Sequence, residues 1–219
     1  MATTLDSVVS YIAPYVLGAP EPLIAQMLRL TCIDFCRRTD TVQRIQAPLD
    51  VVAGTQDYAV TVPTDMRLVR VLGAAWQGVW LTPVQPGDVR SDVALRGAAV
   101  GTAVPLSGGP RYFFQKALDA TSVSLYPIPD TALTGGLLIK ASFAPTTTAL
   151  AVEDQLLADW LDPIAAGAIA RLQAMPRQEF SADSMPRARQ YEMGVGAAKR
   201  TLITGRITDM GRVQPRRFA

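Results

Sequence analysis

Between residues 155 and 175 the apolar positions Leu156, Leu157, Trp160, Leu161, Ile164, Ala165, Ala168, Ile169 and Leu172 recur at three- and four-residue steps. That is the period of an α-helix with one broad buried face, and such a face needs a partner. A matching stripe, Ile24, Met27, Leu28, Thr31 and Phe35, lies more than a hundred residues earlier, within residues 20–38. Everything between the two reads as strands and turns. The pattern predicts an α+β chain: a helical bundle formed by N- and C-terminal helices, with an inserted β domain.

Taken in order, Leu5, Val8, Val9 and Ile12 give a short first helix, capped by Thr3 or Thr4, with Asp6 in its first turn and Pro14 at its end. Gly18, Pro20 and Pro22 form a turn and the opening of the second helix, where a proline's missing N–H costs nothing. Arg37 and Arg38 close that helix, and a solvated C-terminus explains them better than a face for DNA or a neighbour. From Thr41 the texture changes to alternation at Val42, Arg44 and Gln46, then a turn at Gly54-Thr55-Gln56-Asp57. Residues 66–76 and 79–82 flank Gln77-Gly78 as a hairpin. Residues 86–96 suit one or two helical turns, and residues 97–110, with four glycines and two prolines, suit an exposed loop. Residues 111–116 and 122–127 flank a turn at residues 118–120, and residues 137–143 close the set, the pattern of a small antiparallel β-sandwich or barrel. Tyr112, Phe113, Phe114 and Tyr126 fit core and cross-strand pairs better than a base-stacking platform.

Pro163 implies a kink near Trp160 unless the helix begins there, and Gly167 among alanines permits close approach of another helix. Met175-Pro176 breaks the pattern. Asp183 or Ser184 starts a last helix with Pro186 near its first turn and a stripe at Ala188, Tyr191, Val195, Ala198 and Leu202. After Gly205 no stripe continues, and residues 206–219 read as an extended basic arm. The expected division is therefore residues 1–40 and 149–204 for the bundle, 41–148 for the β insertion and 205–219 for the arm.

Composition narrows the chemistry. With 219 residues, 49% of them hydrophobic and 18% charged, the chain has material for a sizeable core. No leader pattern opens it and no window of about 18 uncharged apolar residues occurs, so neither export nor a membrane partner is expected. Cys32 and Cys36 sit four apart on one helix face, as reduced core thiols. A zinc site needs about three or four convergent ligands, and there is no histidine and no further cysteine. The lack of histidine also excludes Ser-His-Asp and Cys-His arrangements, and no phosphate-cradling glycine loop stands between a strand and a helix. Carboxylate pairs such as Asp159 with Asp162, or Glu153 with Asp154, read as solubilising charges on exposed turns rather than as an acid–base pair. No catalytic, cofactor-binding or metal residues are expected.

Net charge is +2, but residues 171–219 carry ten basic against four acidic side chains (+6), leaving 11 against 15 (−4) for the rest. A basic C-terminal end suits nucleic acid or an acidic protein surface equally. The order PEPLIAQMLRLTCIDFCRRT, a Gly-Thr-Gln-Asp-Tyr turn, a hairpin through RLVRVLGAAWQGVWLTPV, and GAIARLQAMP ahead of a terminal helix resembles the head-to-tail adaptor (connector) proteins of tailed bacteriophages. The resemblance implies a dodecameric homo-oligomeric ring in the virion neck, assembled from subunits in the host cytoplasm. Its partners would be the portal protein, a tail or nozzle protein, and double-stranded DNA passing through the channel without sequence recognition. It also implies portal docking through the arm, which puts Arg206, Arg212, Arg216, Arg217 and Phe218 forward as portal-binding residues. The alternative is a nucleic-acid-binding protein using residues 171–217.

Overall fold

The computed structural model describes residues 2–85, 109–116, 121–176 and 182–209. The helical turns expected over residues 86–96, most of the loop over residues 97–110 and the turn at residues 118–120 lie outside the described residues. The chain divides into two compact units, residues 1–42 with 144–219, and residues 43–143.

The first unit holds four α-helices among the described residues: α1 (Leu5–Ile12), α2 (Glu21–Thr39), α3 (Asp154–Gln173) and α4 (Met185–Asp209). A 3₁₀ turn, Ala13–Tyr15, follows α1 where Pro14 ends it. Two short strands share this unit, β1 (Ala2–Thr4) and β11 (Ala151–Glu153), paired antiparallel with Thr3 opposite Val152. Each runs directly into a helix, β1 into α1 and β11 into α3. Thr4 occupies the N-cap position of α1 but makes no side-chain capping bond. Instead the Thr3 hydroxyl donates to the Asp154 carboxylate, and the Leu5 N–H donates to the Leu150 carbonyl at 3.1 Å. The expected threonine cap is thus replaced by strand pairing. At the far end of α2, Asp40 takes the left-handed conformation (φ 54°) and its N–H closes on the Cys36 carbonyl at 2.9 Å.

Helix α3 is the centre of the unit and packs against α1, α2 and α4. Because Pro163 has no N–H and its ring clashes with the carbonyl four residues back, the helix bends: Trp160 sits at φ −133°, ψ 23°. Trp160 is accordingly half-buried rather than enclosed by the core, as is Leu161. Beyond the kink, Ile164 to Ala170 are all buried, not only those on one face, because helices cover α3 on several sides. Small side chains make this possible. A Cβ added to Gly167 would lie 2.6 Å from the Tyr191 ring on α4 and 2.7 Å from the Thr31 methyl on α2. Gly194 on α4 is equally close to α3, since a Cβ there would lie 2.2 Å from that of Pro163.

The second unit is built on two long strands, β5 (Met66–Trp76) and β10 (Leu133–Pro145), the latter running on into the first unit. With β2 (Gln43–Ile45), β3 (Leu49–Val51) and β6 (Val79–Trp80) they form one sheet in the order β2-β10-β5-β6, with β3 also on β10. A second sheet runs β4-β9-β8-β7, from β4 (Asp57–Ala59), β9 (Ser122–Tyr126), β8 (Tyr112–Phe114) and β7 (Thr82–Pro83). Gln77 (φ 49°) and Gly78 (φ 80°) form the two-residue turn of the β5–β6 hairpin, both in the left-handed conformation that matches strand twist. Phe113, Phe114, Val123, Leu125, Ile139 and Phe143 are buried, and Tyr112 stacks on Tyr126 across β8 and β9 with ring centroids 6.4 Å apart.

The chain is α+β, but the architecture expected from sequence is corrected in three respects. The helices do not form a bundle of N- and C-terminal helices flanking an inserted β domain: strands β1 and β11 interleave with them and start two of the four. The β region is neither a closed sandwich nor a barrel: its mainly antiparallel strands, in two sheets, curl into a half-barrel. The chain crosses from one sheet to the other at Leu81, between β6 and β7, and β7 joins β8 in parallel. Finally, residues 206–209 are the last residues of α4, not the start of an extended arm. Helix propensity carries past Gly205 because only one glycine interrupts the run, at a cost of about 1 kcal/mol.

Candidate functional site

Of the five arm residues singled out by sequence, Arg206 lies in the backbone of α4. Arg212, Arg216, Arg217 and Phe218 fall outside the described residues.

In the first unit Asp34 collects three partners on one carboxylate oxygen. The Tyr191 hydroxyl donates to its Oδ2 at 2.7 Å, Arg171 Nη2 lies 3.6 Å away, and Arg38 Nη1 3.7 Å away. Arg38 also grips Glu192 with both prongs, Nη1 to Oε1 at 2.7 Å and Nη2 to Oε2 at 2.6 Å, the fork geometry that makes arginine–carboxylate pairs directional. Its guanidinium sits 5.8 Å from the centroid of the Tyr191 ring. The sequence reading left Arg38 solvated at the end of α2, whereas it joins α2 to α4. Burial and the bond to Asp34 raise the Tyr191 hydroxyl well above the ordinary tyrosine range, while Arg38 holds Glu192 below the ordinary carboxylate range. This is a structural clasp, with every charge neutralised by a neighbour.

A second cluster lies among α1, α3 and α4. The Tyr11 hydroxyl donates to Asp162 Oδ1 at 2.9 Å, and that bond raises Tyr11 above its usual range. Arg187 stacks 4.8 Å from the Tyr15 ring centroid and donates to Gln190 at 3.1 Å. Together they edge a cavity of about 180 Å³.

A further cavity of about 170 Å³ opens where the end of α2, the first turns of α3 and the later turns of α4 converge. Val42, Leu156, Trp160 and Leu202 supply apolar lining, and Glu153 and Asp159 supply carboxylates. Cys36 is close by, its thiol bonded to Thr41, and burial pushes it up to about 12; burial likewise raises Cys32. Thiols so shifted are protonated and inert. In the second unit the β5–β6 turn carries Val79 and Trp80, 67% and 60% exposed, with the Trp80 ring laid over the Gly73 backbone.

Among the described residues no group of three or more His, Cys, Asp or Glu side chains is placed to hold a metal ion, and no helix is long and apolar enough to cross a membrane. Sequence reasoning missed the Asp34 clasp and both cavities. The i,i+4 spacing of Asp34 and Arg38 was the one available signal. No protein-family model matches the chain, and no curated protein matches it either.

Proposed function

We propose that this chain is an assembly protein, a head-to-tail adaptor of a tailed phage, forming a ring under the portal that extends the DNA channel and offers a platform to the tail. What carries the reading is that both units hold large apolar side chains in water: Val79 and Trp80 at the hairpin turn of one, and Tyr11, Tyr15 and Leu17, the last 77% exposed, in the other. Single exposed apolar residues are ordinary, but groups of them mark surfaces that another protein covers. Two such groups on two units suit a subunit that meets more than one neighbour. The resemblance of its motif order to that of the adaptor proteins suggests the kind of assembly. On this reading the last residues, with Arg212, Arg216, Arg217 and Phe218, dock on the portal, since arginine forks pair with carboxylates and a terminal aromatic fills a pocket.

Electron microscopy of the purified chain mixed with the portal ring tests the proposal: an added ring layer beneath the portal is expected. If no layer forms, and the isolated chain instead binds random duplex with an affinity that falls steeply with salt, residues 171–217 are a nucleic-acid-binding surface and the adaptor reading is wrong.

A further inference from the structure

Trp80 is 60% exposed at the β5–β6 turn, although an indole is on average a highly buried side chain. The fold holds it there. A Cβ added to Gly73 would lie 2.8 Å from Trp80 Cζ3 and 3.3 Å from Cε3, so this glycine is the seat on which the six-membered ring rests. The edge that carries Nε1 lies beyond the seat, and among the described residues its N–H finds no acceptor. Val79 beside it is 67% exposed. The turn is thus a preset knob with an apolar body and one unused donor.

The cavity among α1, α3 and α4 offers the complement. At about 180 Å³ it is well below the roughly 300–1,000 Å³ of sites that take drug-sized molecules, and it suits one large side chain. Ala165, Ala166 and Ile169 supply apolar lining. Arg187 lies 4.8 Å from the Tyr15 ring centroid; its planar guanidinium has a second face, and indole is the aromatic ring that attracts a cation most strongly. Asp162 accepts the Tyr11 hydroxyl on Oδ1 at 2.9 Å, and its other oxygen has capacity for a further donor. A visiting carboxylate would be repelled by Asp162, and a visiting lysine or arginine by Arg187. An uncharged ring with one N–H satisfies both.

We infer that this cavity in one copy of the chain receives the Val79–Trp80 turn of a second copy, with the Trp80 ring on Arg187 and its N–H donating to Asp162. Knob and cavity are different surfaces, so a copy whose cavity is filled still offers its own knob, and the contact can repeat from copy to copy. The inference rests on the assembly reading, for which it supplies the contact between copies. One seated indole buries about 150–250 Å², so a pair of copies on its own is held weakly.

Sedimentation of the full chain is therefore expected to show association only at about 100 μM and above. Trp80→Ser should weaken it at least about tenfold, and so should Arg187→Glu, with Tyr15→Ser as the cavity variant if Arg187→Glu does not fold. An equimolar mixture of the knob variant and the cavity variant retains one intact knob and one intact cavity, and should form a pair that grows no further. A parent chain that stays monomeric overturns the inference, and so does association that survives Trp80→Ser. Loss in both variants without recovery in the mixture overturns it as well. A cavity variant that associates like the parent while Trp80→Ser does not shows that two hairpins meet each other, and removes the cavity as the receptor. Electron microscopy with the portal ring separates this contact from the assembly reading. A layer formed by Trp80→Ser as readily as by the parent keeps that reading and overturns the contact, whereas a mixture that pairs while the parent adds no layer keeps the contact and overturns the adaptor.

Discussion

At Gly167 two helices meet α3 at once, and the absence of a side chain is what lets them. In Gly167→Ala the new Cβ would stand 2.6 Å from the Tyr191 ring and 2.7 Å from the Thr31 methyl, both in the buried core. A helical alanine gains about 1 kcal/mol over glycine in propensity, but forcing a methyl into a close-packed contact costs about 1–3 kcal/mol. The substitution is therefore expected to destabilise by up to about 2 kcal/mol, measured as a lower denaturation midpoint with an unchanged m-value. At Gln77 the sign is opposite. Its φ of 49° is left-handed and disfavours most side chains, while asparagine tolerates it and asparagine-glycine is the preferred pair for this turn. Gln77→Asn should raise stability by a few tenths of a kcal/mol, up to about 0.5 kcal/mol, by the same measurement. Both positions were visible in the sequence, Gly167 as a small residue amid alanines and Gln77-Gly78 as a turn. Gly194 was not, because its partner Pro163 is thirty-one residues away on another helix and no local pattern joins them.

At the scale of elements, the joint between α2 and α4 titrates. Arg38 holds the Glu192 carboxyl below the ordinary range, so the folded state binds that proton less readily than the unfolded chain. The resulting stabilisation is fully present above the unfolded carboxyl's pKa of about 4.3, and it is lost as pH falls through the lower folded value. Glu192 is 57% exposed, and solvent screening limits the pair to within about 1 kcal/mol. Glu192→Gln should therefore lower stability by under about 1 kcal/mol near pH 7, and the gap should narrow as the folded chain's Glu192 takes up its proton in acid, and shrink in high salt. A gap that persists in acid would show that the glutamate contributes through packing instead. Elements with their own periodicity were legible: the stripes of α1, α2, α3 and α4, the kink at Trp160, the β5–β6 hairpin. What sequence did not disclose depends on pairing between distant segments. Ala2–Thr4 is too short to read as a strand and becomes one only because Ala151–Glu153 lies opposite. The half-barrel likewise follows from which strands share β10 and where the chain changes sheets, which alternation within a strand does not encode. The clasp and the cavities required the α2–α3–α4 packing to exist first.

For the whole molecule, the proposed function separates surface that serves the fold from surface that would serve assembly, and Val79 tests the separation. It is 67% exposed at the hairpin turn, where its side chain contributes little burial. A polar substitution at such a site ordinarily changes stability by no more than about 0.5 kcal/mol. A carboxylate placed at the centre of a protein interface has no such tolerance, since burying it without a partner costs several kcal/mol. Val79→Glu should thus melt like the parent chain and give the same far-ultraviolet spectrum. If the hairpin turn is covered in the assembled ring, the variant should also fail to add a layer beneath the portal, or do so at least about a hundredfold more weakly. Leu17→Glu makes the same demand of the helical unit, where Leu17 is 77% exposed. Should both variants assemble as the parent does, these apolar groups are not the contacts between subunits, and the observation that carries the proposed function falls with them. Should only one fail, it identifies which unit faces the neighbour, and the other unit's group is left for a different partner.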